Sequence, residues 1–178
     1  MPLWIIYHPP STFTTPESKS AFAQAITNIY TKVPLPAFYV NVLFQPIAAD
    51  SFYIGGVPRP SEHVAANNPG PKSERPFIRI VIQNIARTLS SEKTRDGFLS
   101  RVDSALKPHI EDQGYDVEYS VYETRRDLWK IDGMVPPMAG TEAEKEWVRL
   151  NRAVGFERAK GGLGDGSRWE GEEKKSKL

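Results

Sequence analysis

The chain has 178 residues, of which 39% are hydrophobic and 25% charged, and its formal net charge is +1. This is the composition of a soluble globular domain, and the balanced charge gives no general case for nucleic acid or an anionic membrane as a partner. The absence of cysteine excludes disulfides, thiol catalysis and thiolate metal sites. No apolar run is long enough to span a bilayer and no leader is evident, so we expect neither membrane insertion nor secretion.

The first element is a strand that begins almost at the amino terminus. Residues 3–7, LWIIY, are apolar, aromatic and β-branched, which predicts a buried strand directly after Met1 and Pro2. Proline is small enough for the initiator Met to be removed, which would leave Pro2 as a free secondary amine. An α-amino group titrates near neutrality, and burial lowers the pKa of a cationic amine. Pro2 is therefore a candidate proton carrier, the alternative being that the strand simply begins early.

A helix and a second strand complete the first unit. Thr15 and Pro16 give a hydroxyl cap and a first-turn proline for a helix over residues 16–31. Its apolar residues recur at helical spacing and form one stripe: Phe22, Ala25, Ile26 and Ile29. Residues 38–44 are apolar on both faces, which predicts a buried strand parallel to the first. A crossover of this length gives a right-handed β-α-β unit.

The pattern repeats after a loop rich in Pro, Asn and Ser at residues 58–75. The second unit consists of a strand at 77–82, a helix that starts at 90–92 and a strand at 117–122. Each unit ends with an aromatic-x-Ile-x-Gly segment and a trailing Val-Pro, at 52–58 in the first unit and at 129–136 in the second. This internal repeat predicts an α/β fold with a four-stranded mixed sheet and two helices on one face. The other face is apolar and uncovered, so we expect a homo-oligomer.

The sequence predicts three segments along the chain. The two units, at about 2–57 and 76–137, form one domain at 2–137; a C-terminal helix occupies 138–160 and a flexible charged tail 161–178. An apolar stripe of Trp147, Leu150 and Val154 predicts that the C-terminal helix packs on the body or on a neighbour. The glycine-rich stretch after it follows a helix and not a strand, which disfavours a phosphate-binding loop.

The last three residues are Ser176, Lys177 and Leu178. A carboxy-terminal Ser-Lys-Leu is an address that the peroxisomal import receptor reads at an accessible chain end. We therefore expect a peroxisomal protein, with a cytoplasmic protein and a coincidental solubilising tail as the alternative.

The duplicated β-α-β unit, Pro2 directly after Met1 and the aromatic-x-Ile-x-Gly segments resemble the tautomerase superfamily. The two-unit chain is similar to its fungal-type branch of cis-3-chloroacrylic acid dehalogenase-like proteins, over about residues 2–137. The resemblance implies a 4-oxalocrotonate tautomerase-like fold, a homotrimer and no cofactor. It also implies proton transfer by Pro2, as acid or base, on a small 2-oxo or unsaturated carboxylic acid.

The resemblance also places candidate substrate-binding residues. Arg87 falls where the dehalogenases carry the first of two carboxylate-binding arginines, and Ser90 falls on the second. Tyr30 takes the place of the family's helix histidine. The water-activating glutamate falls on or beside Ile131, with Asp132 as the nearest acid. The family's water-activating tyrosine has no secure counterpart in the last strand.

Each candidate has a plainer interpretation. Arg87 could be a solvated residue at a strand end, Tyr30 a core residue and Asp132 a turn residue. Trp129 is interpreted as an apolar wall of the core or of the pocket, and Arg125 and Arg126 are expected to face solvent. The three histidines, His8, His63 and His109, have no ligand-like spacing, so no metal site is expected.

The sequence is compatible with three classes of function. The leading hypothesis is a tautomerase or isomerase that uses Pro2. The second is a hydratase, dehalogenase or decarboxylase on a 3-substituted acrylate-type acid, although hydrolytic dehalogenation needs a carboxylate that activates water. The third is a non-enzymatic binding protein of the same fold, which the loss of the second arginine at Ser90 favours.

Overall fold

A computed structural model describes residues 2–62, 64, 73–85 and 87–164. Half of the predicted loop at 58–75 lies between these ranges, and the tail with Ser176, Lys177 and Leu178 lies outside them. The described elements follow the predicted order and are β1 (Leu3–His8), α1 (Pro16–Thr31), β2 (Asn41–Pro46), β3 (Tyr53–Ile54), β4 (Val57–Pro58), β5 (Phe77–Ile85), α2 (Glu92–Leu106), β6 (Asp116–Thr124) and α3 (Glu142–Leu150).

The main sheet has four strands in the order β2-β1-β5-β6. β1 is parallel to β2, β5 is parallel to β6, and the central pair β1 and β5 is antiparallel. Alternate residues of β1 and β5, among them Trp4, Ile6 and Ile80, are fully buried in one cluster with the apolar stripes of α1 and α2. The duplicated mixed sheet with both helices on one face is therefore confirmed.

The helices begin where their capping residues predict. Thr15 accepts a hydrogen bond from the Ser18 amide at 3.2 Å, and Pro16 is the first residue of α1. Ser91 caps α2 in the same way, accepting from the Thr94 amide at 3.2 Å. These hydroxyls satisfy amides that have no partner within the helix, which fixes the start of each helix.

β2 begins later than the predicted second strand and is less buried. Residues 37–39 form a 3₁₀ turn, so β2 begins at Asn41 and not at residue 38. β2 is at the edge of the sheet and, among the described strands, pairs with β1 alone; Leu43 of β2 is 53% exposed. The apolar sequence therefore reflects an uncovered sheet face and not burial on both faces.

The two units match in detail. Asn41 donates its amide to the Pro2 carbonyl at 2.9 Å, and Asp116 donates in the same way to the Pro76 carbonyl at 2.9 Å. The turns of the two aromatic-x-Ile-x-Gly segments also agree. Gly55 and Gly56 have φ of +59° and +82°, and Asp132 and Gly133 have φ of +49° and +76°. These left-handed conformations favour Gly and tolerate Asp, which explains why these residue types recur there.

The third helix is shorter than predicted but packs on the body as expected. α3 ends at Leu150 and not at residue 160, because Asn151 adopts a left-handed conformation with φ of +49°. The Asn151 side chain accepts a hydrogen bond from the Phe38 amide at 2.9 Å. Trp147 is fully buried and donates its indole N–H to the Val154 carbonyl at 2.8 Å. In the described part of the chain, no helix combines the length and apolar character needed to cross a membrane.

Candidate active site

Four segments of the chain meet at one end of the sheet. β1 and β2 both begin there, because they are parallel, and β5 and β6 both end there. The hydrogen bond from the Asn41 amide to the Pro2 carbonyl joins the first two segments. Leu3 pairs with Gln83, so the register continued by one residue brings Pro2 beside Asn84. Residues that lie far apart in the sequence can therefore form one site at this end.

Pro2 and Arg87 both lie at this end of the sheet. Pro2 is buried. Asn84 is also buried, and its side-chain amide donates to the Arg87 carbonyl at 3.0 Å. The residue beside Pro2 in the sheet thus holds the backbone of Arg87. Ser90 is exposed, just before α2.

Glu144 of α3 reaches Arg87. Its Oε1 accepts from Arg87 Nη2 at 3.0 Å and its Oε2 accepts from the Gly140 amide at 2.7 Å, with only 4% of Glu144 exposed. Sequence reasoning missed this residue, although Thr141-x-x-Glu144 is a capping-box pattern. Thr141 does cap α3, accepting from the Glu144 amide at 3.3 Å. The capping glutamate of the third helix therefore pairs with the predicted carboxylate-binding arginine.

Tyr39, at the end of the 3₁₀ turn before β2, is a second residue that sequence reasoning missed. It is 1% exposed, and its ring lies 5.0 Å from that of Trp129 and 6.1 Å from that of Trp147. Burial raises the pKa of the Tyr39 hydroxyl; the charge of Glu144 adds to this effect, and nearby arginines oppose it. The hydroxyl therefore keeps its proton at physiological pH and can act as a hydrogen-bond donor.

Arg126 does not face solvent, contrary to the sequence expectation. It is half-buried at the start of the 3₁₀ turn Arg126–Leu128, and its Nη2 donates to the carbonyls of Pro136 and Pro137. Burial lowers the pKa of its guanidinium, although nearby Tyr39 and Glu144 oppose that effect. Arginine stays cationic in proteins, so the site contains a second positive charge, which is half-buried like that of Arg87. Arg125 is exposed.

Trp129 lies directly after that 3₁₀ turn and is 6% exposed. It belongs to the hydrophobic core, one of the two places that the sequence interpretation left open, and its role in a pocket stays a prediction. Its indole N–H, the Tyr39 hydroxyl and the Nε of Arg126 are all buried, and none has a hydrogen-bond partner within the described part of the chain. Among the described residues, the other buried side-chain atom of this kind is His8 Nε2, at the opposite end of β1.

The two other predicted site residues are placed differently. Tyr30 is 3% exposed in the last turn of α1, and its hydroxyl accepts from the indole N–H of Trp4 at 2.9 Å. This bond ties Tyr30 to the core near the start of β1. Asp132 is exposed at the tip of its turn.

A cavity of about 540 Å³ lies elsewhere, between α3 and residues 155–160. Its lining includes three glutamates, Glu142, Glu146 and Glu157, and one lysine, Lys160. The net negative charge of this lining disfavours an acidic ligand, so the Pro2 end of the sheet is the better candidate site. No group of three or more His, Asp or Glu side chains is arranged to hold a metal within the described ranges.

The duplicated sheet with a buried residue 2 defines a tautomerase-type α/β protein. Residues 1–152 match the model of the family described as "putative oxalocrotonate tautomerase enzyme", and the chain belongs to that family. The predicted membership of the tautomerase superfamily is thereby confirmed, whereas the cis-3-chloroacrylic acid dehalogenase-like branch stays a prediction.

Solved structures agree with this assignment. A crystal structure of "a probable enzyme" from the fungus Aspergillus fumigatus is 46% identical, with a TM-score of 0.75, covering 88% of this chain and 98% of that one. Native RhCC from Rhodococcus jostii is 34% identical, with a TM-score of 0.76, covering 86% of this chain and 99% of that one. A fused 4-OT asymmetric trimer, 14% identical, shares the fold, with a TM-score of 0.53 and coverage of 75% and 94%. No curated protein matches the chain.

The unpartnered Tyr39 hydroxyl leads to a stability prediction. Tyr39→Phe removes a buried polar group that has no hydrogen bond, so the free energy of unfolding should be unchanged or should rise by about 1 kcal/mol. Tyr30→Phe is the matched control, because it leaves the Trp4 indole N–H unpaired and should cost about 1–3 kcal/mol. Urea unfolding of both variants at one protein concentration measures this. A loss in Tyr39→Phe equal to that in Tyr30→Phe would contradict the prediction.

Proposed function

We propose that the protein is a cofactor-free tautomerase, in which the Pro2 amine moves a proton on a small 2-oxo or unsaturated carboxylic acid. The observation that carries the proposal is the burial of Pro2 at the same end of the sheet as Arg87. Membership of a tautomerase family supports it. Arg87 is the proposed anchor for the substrate carboxylate.

The proposed reaction needs one group that both takes and returns a proton. The neutral Pro2 amine would remove a proton from the carbon next to the substrate carbonyl. The C–H electron pair would form a C=C bond, and the carbonyl π pair would move to oxygen. The protonated amine would then return the proton to that oxygen or to another carbon. An α-amino group titrates near neutrality, which suits both steps.

The charges at the site favour an acidic substrate. The positive charges of Arg87 and Arg126 outnumber the negative charge of Glu144, so this group of side chains is net positive. A guanidinium binds a carboxylate with two parallel N–H bonds. Glu144 accepts from Arg87 and would hold its guanidinium in one orientation.

The same contacts favour tautomerisation over hydrolytic dehalogenation. Hydrolytic dehalogenation needs a carboxylate that activates water, and the two oxygens of Glu144 accept from Arg87 and from the Gly140 amide. Asp132, the acid nearest to the family's glutamate position, is exposed on a turn. Proton transfer by an amine does not require either carboxylate.

The first test of the proposal is a Pro2→Ala variant of untagged protein. Intact mass must show that Met1 has been removed, and ketonisation of phenylenolpyruvate is then measured. Loss of the acid-base group should lower kcat by about 100-fold or more. Pro10→Ala, in an exposed turn at the other end of β1, is the matched control and should retain full activity. Equal rates for Pro2→Ala and the native protein, or a retained Met1, would rule out Pro2 as the base.

We also propose that the protein is a homotrimer. Ile5, Leu43 and Val81 lie side by side on the uncovered face of the sheet, and such a face is stabilised by a partner. The fused 4-OT structures that share the fold are described as trimers.

Sedimentation should give three times the chain mass of 20.0 kDa. Leu43→Asp should shift the protein to lower mass, and Val33→Asp, at the end of α1, should not. A monomeric native protein would disprove the trimer.

The carboxy-terminal Ser176-Lys177-Leu178 supports a third proposal, import into peroxisomes. A fluorescent protein fused ahead of the chain, with the native carboxyl end kept, should colocalise with a peroxisomal marker in eukaryotic cells. Deletion of residues 176–178 is the control and should give a diffuse signal. A diffuse signal from the intact fusion would refute peroxisomal import.

A further inference from the structure

Three hydrogen-bond donors of the site have no acceptor among the residues that the structure describes. These are the Tyr39 hydroxyl, the Trp129 indole N–H and the Nε–H of Arg126, here called the donor cluster. A buried donor without a partner costs about 1–3 kcal/mol, and buried polar groups in folded proteins are otherwise nearly always paired. Three such donors, on residues that lie next to one another, therefore point to an acceptor that is not among the described residues.

The fold holds the donor cluster together. Arg126 begins the 3₁₀ turn and Trp129 follows it directly, and a 3.1 Å hydrogen bond from the Trp129 amide to the Arg126 carbonyl joins the two residues. The Tyr39 ring meets the Trp129 ring edge-on, with centroids 5.0 Å apart. The Nη2 of Arg126 is bound to the carbonyls of Pro136 and Pro137, which fixes the guanidinium while its Nε–H stays unpaired.

The chemistry of the donor cluster specifies its occupant. An indole N–H and an arginine N–H can only donate, and the Tyr39 hydroxyl keeps its proton because it is buried. The occupant must therefore be a hydrogen-bond acceptor. Since Arg126 is cationic, an oxygen that carries or develops negative charge fits best.

We propose that the donor cluster binds the 2-oxo oxygen of the substrate while Arg87 holds the adjacent carboxylate. This inference rests on the proposed function and narrows its substrate class to 2-oxo acids and their enols. Arg126, which follows β6, thereby supplies a second cation beside Arg87. The resemblance places Ser90, which has no charge, where the dehalogenases carry their second arginine.

The donor cluster also has a role in the proton transfer. When Pro2 takes a proton from the carbon next to the carbonyl, negative charge develops on the 2-oxo oxygen. Donors fixed in advance around that oxygen stabilise the charge without having to reorganise. The enolate is therefore held more strongly than the oxo acid, which lowers the barrier.

The test compares binding of phenylpyruvate with that of 3-phenylpropanoate, which has the same skeleton without the 2-oxo group. Calorimetry is done in the Pro2→Ala variant, so that no turnover disturbs the titration. Phenylpyruvate should bind at least about tenfold more tightly, because only its oxygen meets the donors. Tyr39→Phe and Trp129→Phe, each added to that variant, should reduce this preference to about threefold or less. Any loss of affinity for 3-phenylpropanoate should be smaller than the loss for phenylpyruvate, because 3-phenylpropanoate has no oxygen that meets the donors.

The control variant is Tyr115→Phe, which makes the same chemical change at the opposite end of the sheet, close to Phe13. It should leave the preference unchanged. Equal binding of the two acids, or an intact preference in both Tyr39→Phe and Trp129→Phe, would overturn the proposal. A preference for phenylpyruvate that depends on the donors would support the donor cluster, whatever the activity of Pro2→Ala. Full ketonisation activity in Pro2→Ala would refute only the proposed function. Conversely, lost activity in Pro2→Ala without any preference would refute only the donor cluster.

Discussion

The pairing of β1 with a strand on each side is the interaction on which the site depends. β2 pairs with β1 in parallel and β5 pairs with it in the opposite direction, so the start of β1 is enclosed on both sides. Chain termini usually fray in solvent, whereas here residue 2 is buried and its carbonyl is hydrogen-bonded to Asn41. The same strand directions bring Arg87 and Arg126, which follow β5 and β6, to that end.

The third helix is part of this arrangement and not an appendage. Trp147 anchors α3 in the aromatic cluster with Phe38, Tyr39 and Phe156. The same helix delivers Glu144 to Arg87. This ion pair is partly buried, with 31% of the Arg87 side chain and 5% of the Glu144 side chain exposed, and desolvation offsets much of its attraction. The value of this pair lies in orientation, since a guanidinium held by one carboxylate presents its other face in a defined direction.

The sequence was sufficient for the parts of the fold that local patterns determine. Helical spacing and capping residues located α1 and α2, and the duplicated segments led to the mixed sheet. The exposure of β2 and the end of α3 at Asn151 were missed, because they depend on which strand is at the edge and on one left-handed residue. Pro2 and Arg87 were found through the resemblance. Glu144, Tyr39 and Arg126 were not, because their burial arises from contacts between distant segments, such as Arg126 with the carbonyls of Pro136 and Pro137.

The two units share the hydrogen bond at their start but differ in whether their proline can act as a base. Pro76 occupies in the second unit the position that Pro2 occupies in the first, since each carbonyl accepts from the first residue of the partner strand, Asp116 or Asn41. The nitrogen of Pro76, however, lies inside the chain as a tertiary amide, which has neither a proton nor basic character. Duplication thus leaves one potentially basic proline per two units. The opposite end of the sheet carries a structural contact instead, the 2.7 Å ion pair between the buried Arg59 and Asp116.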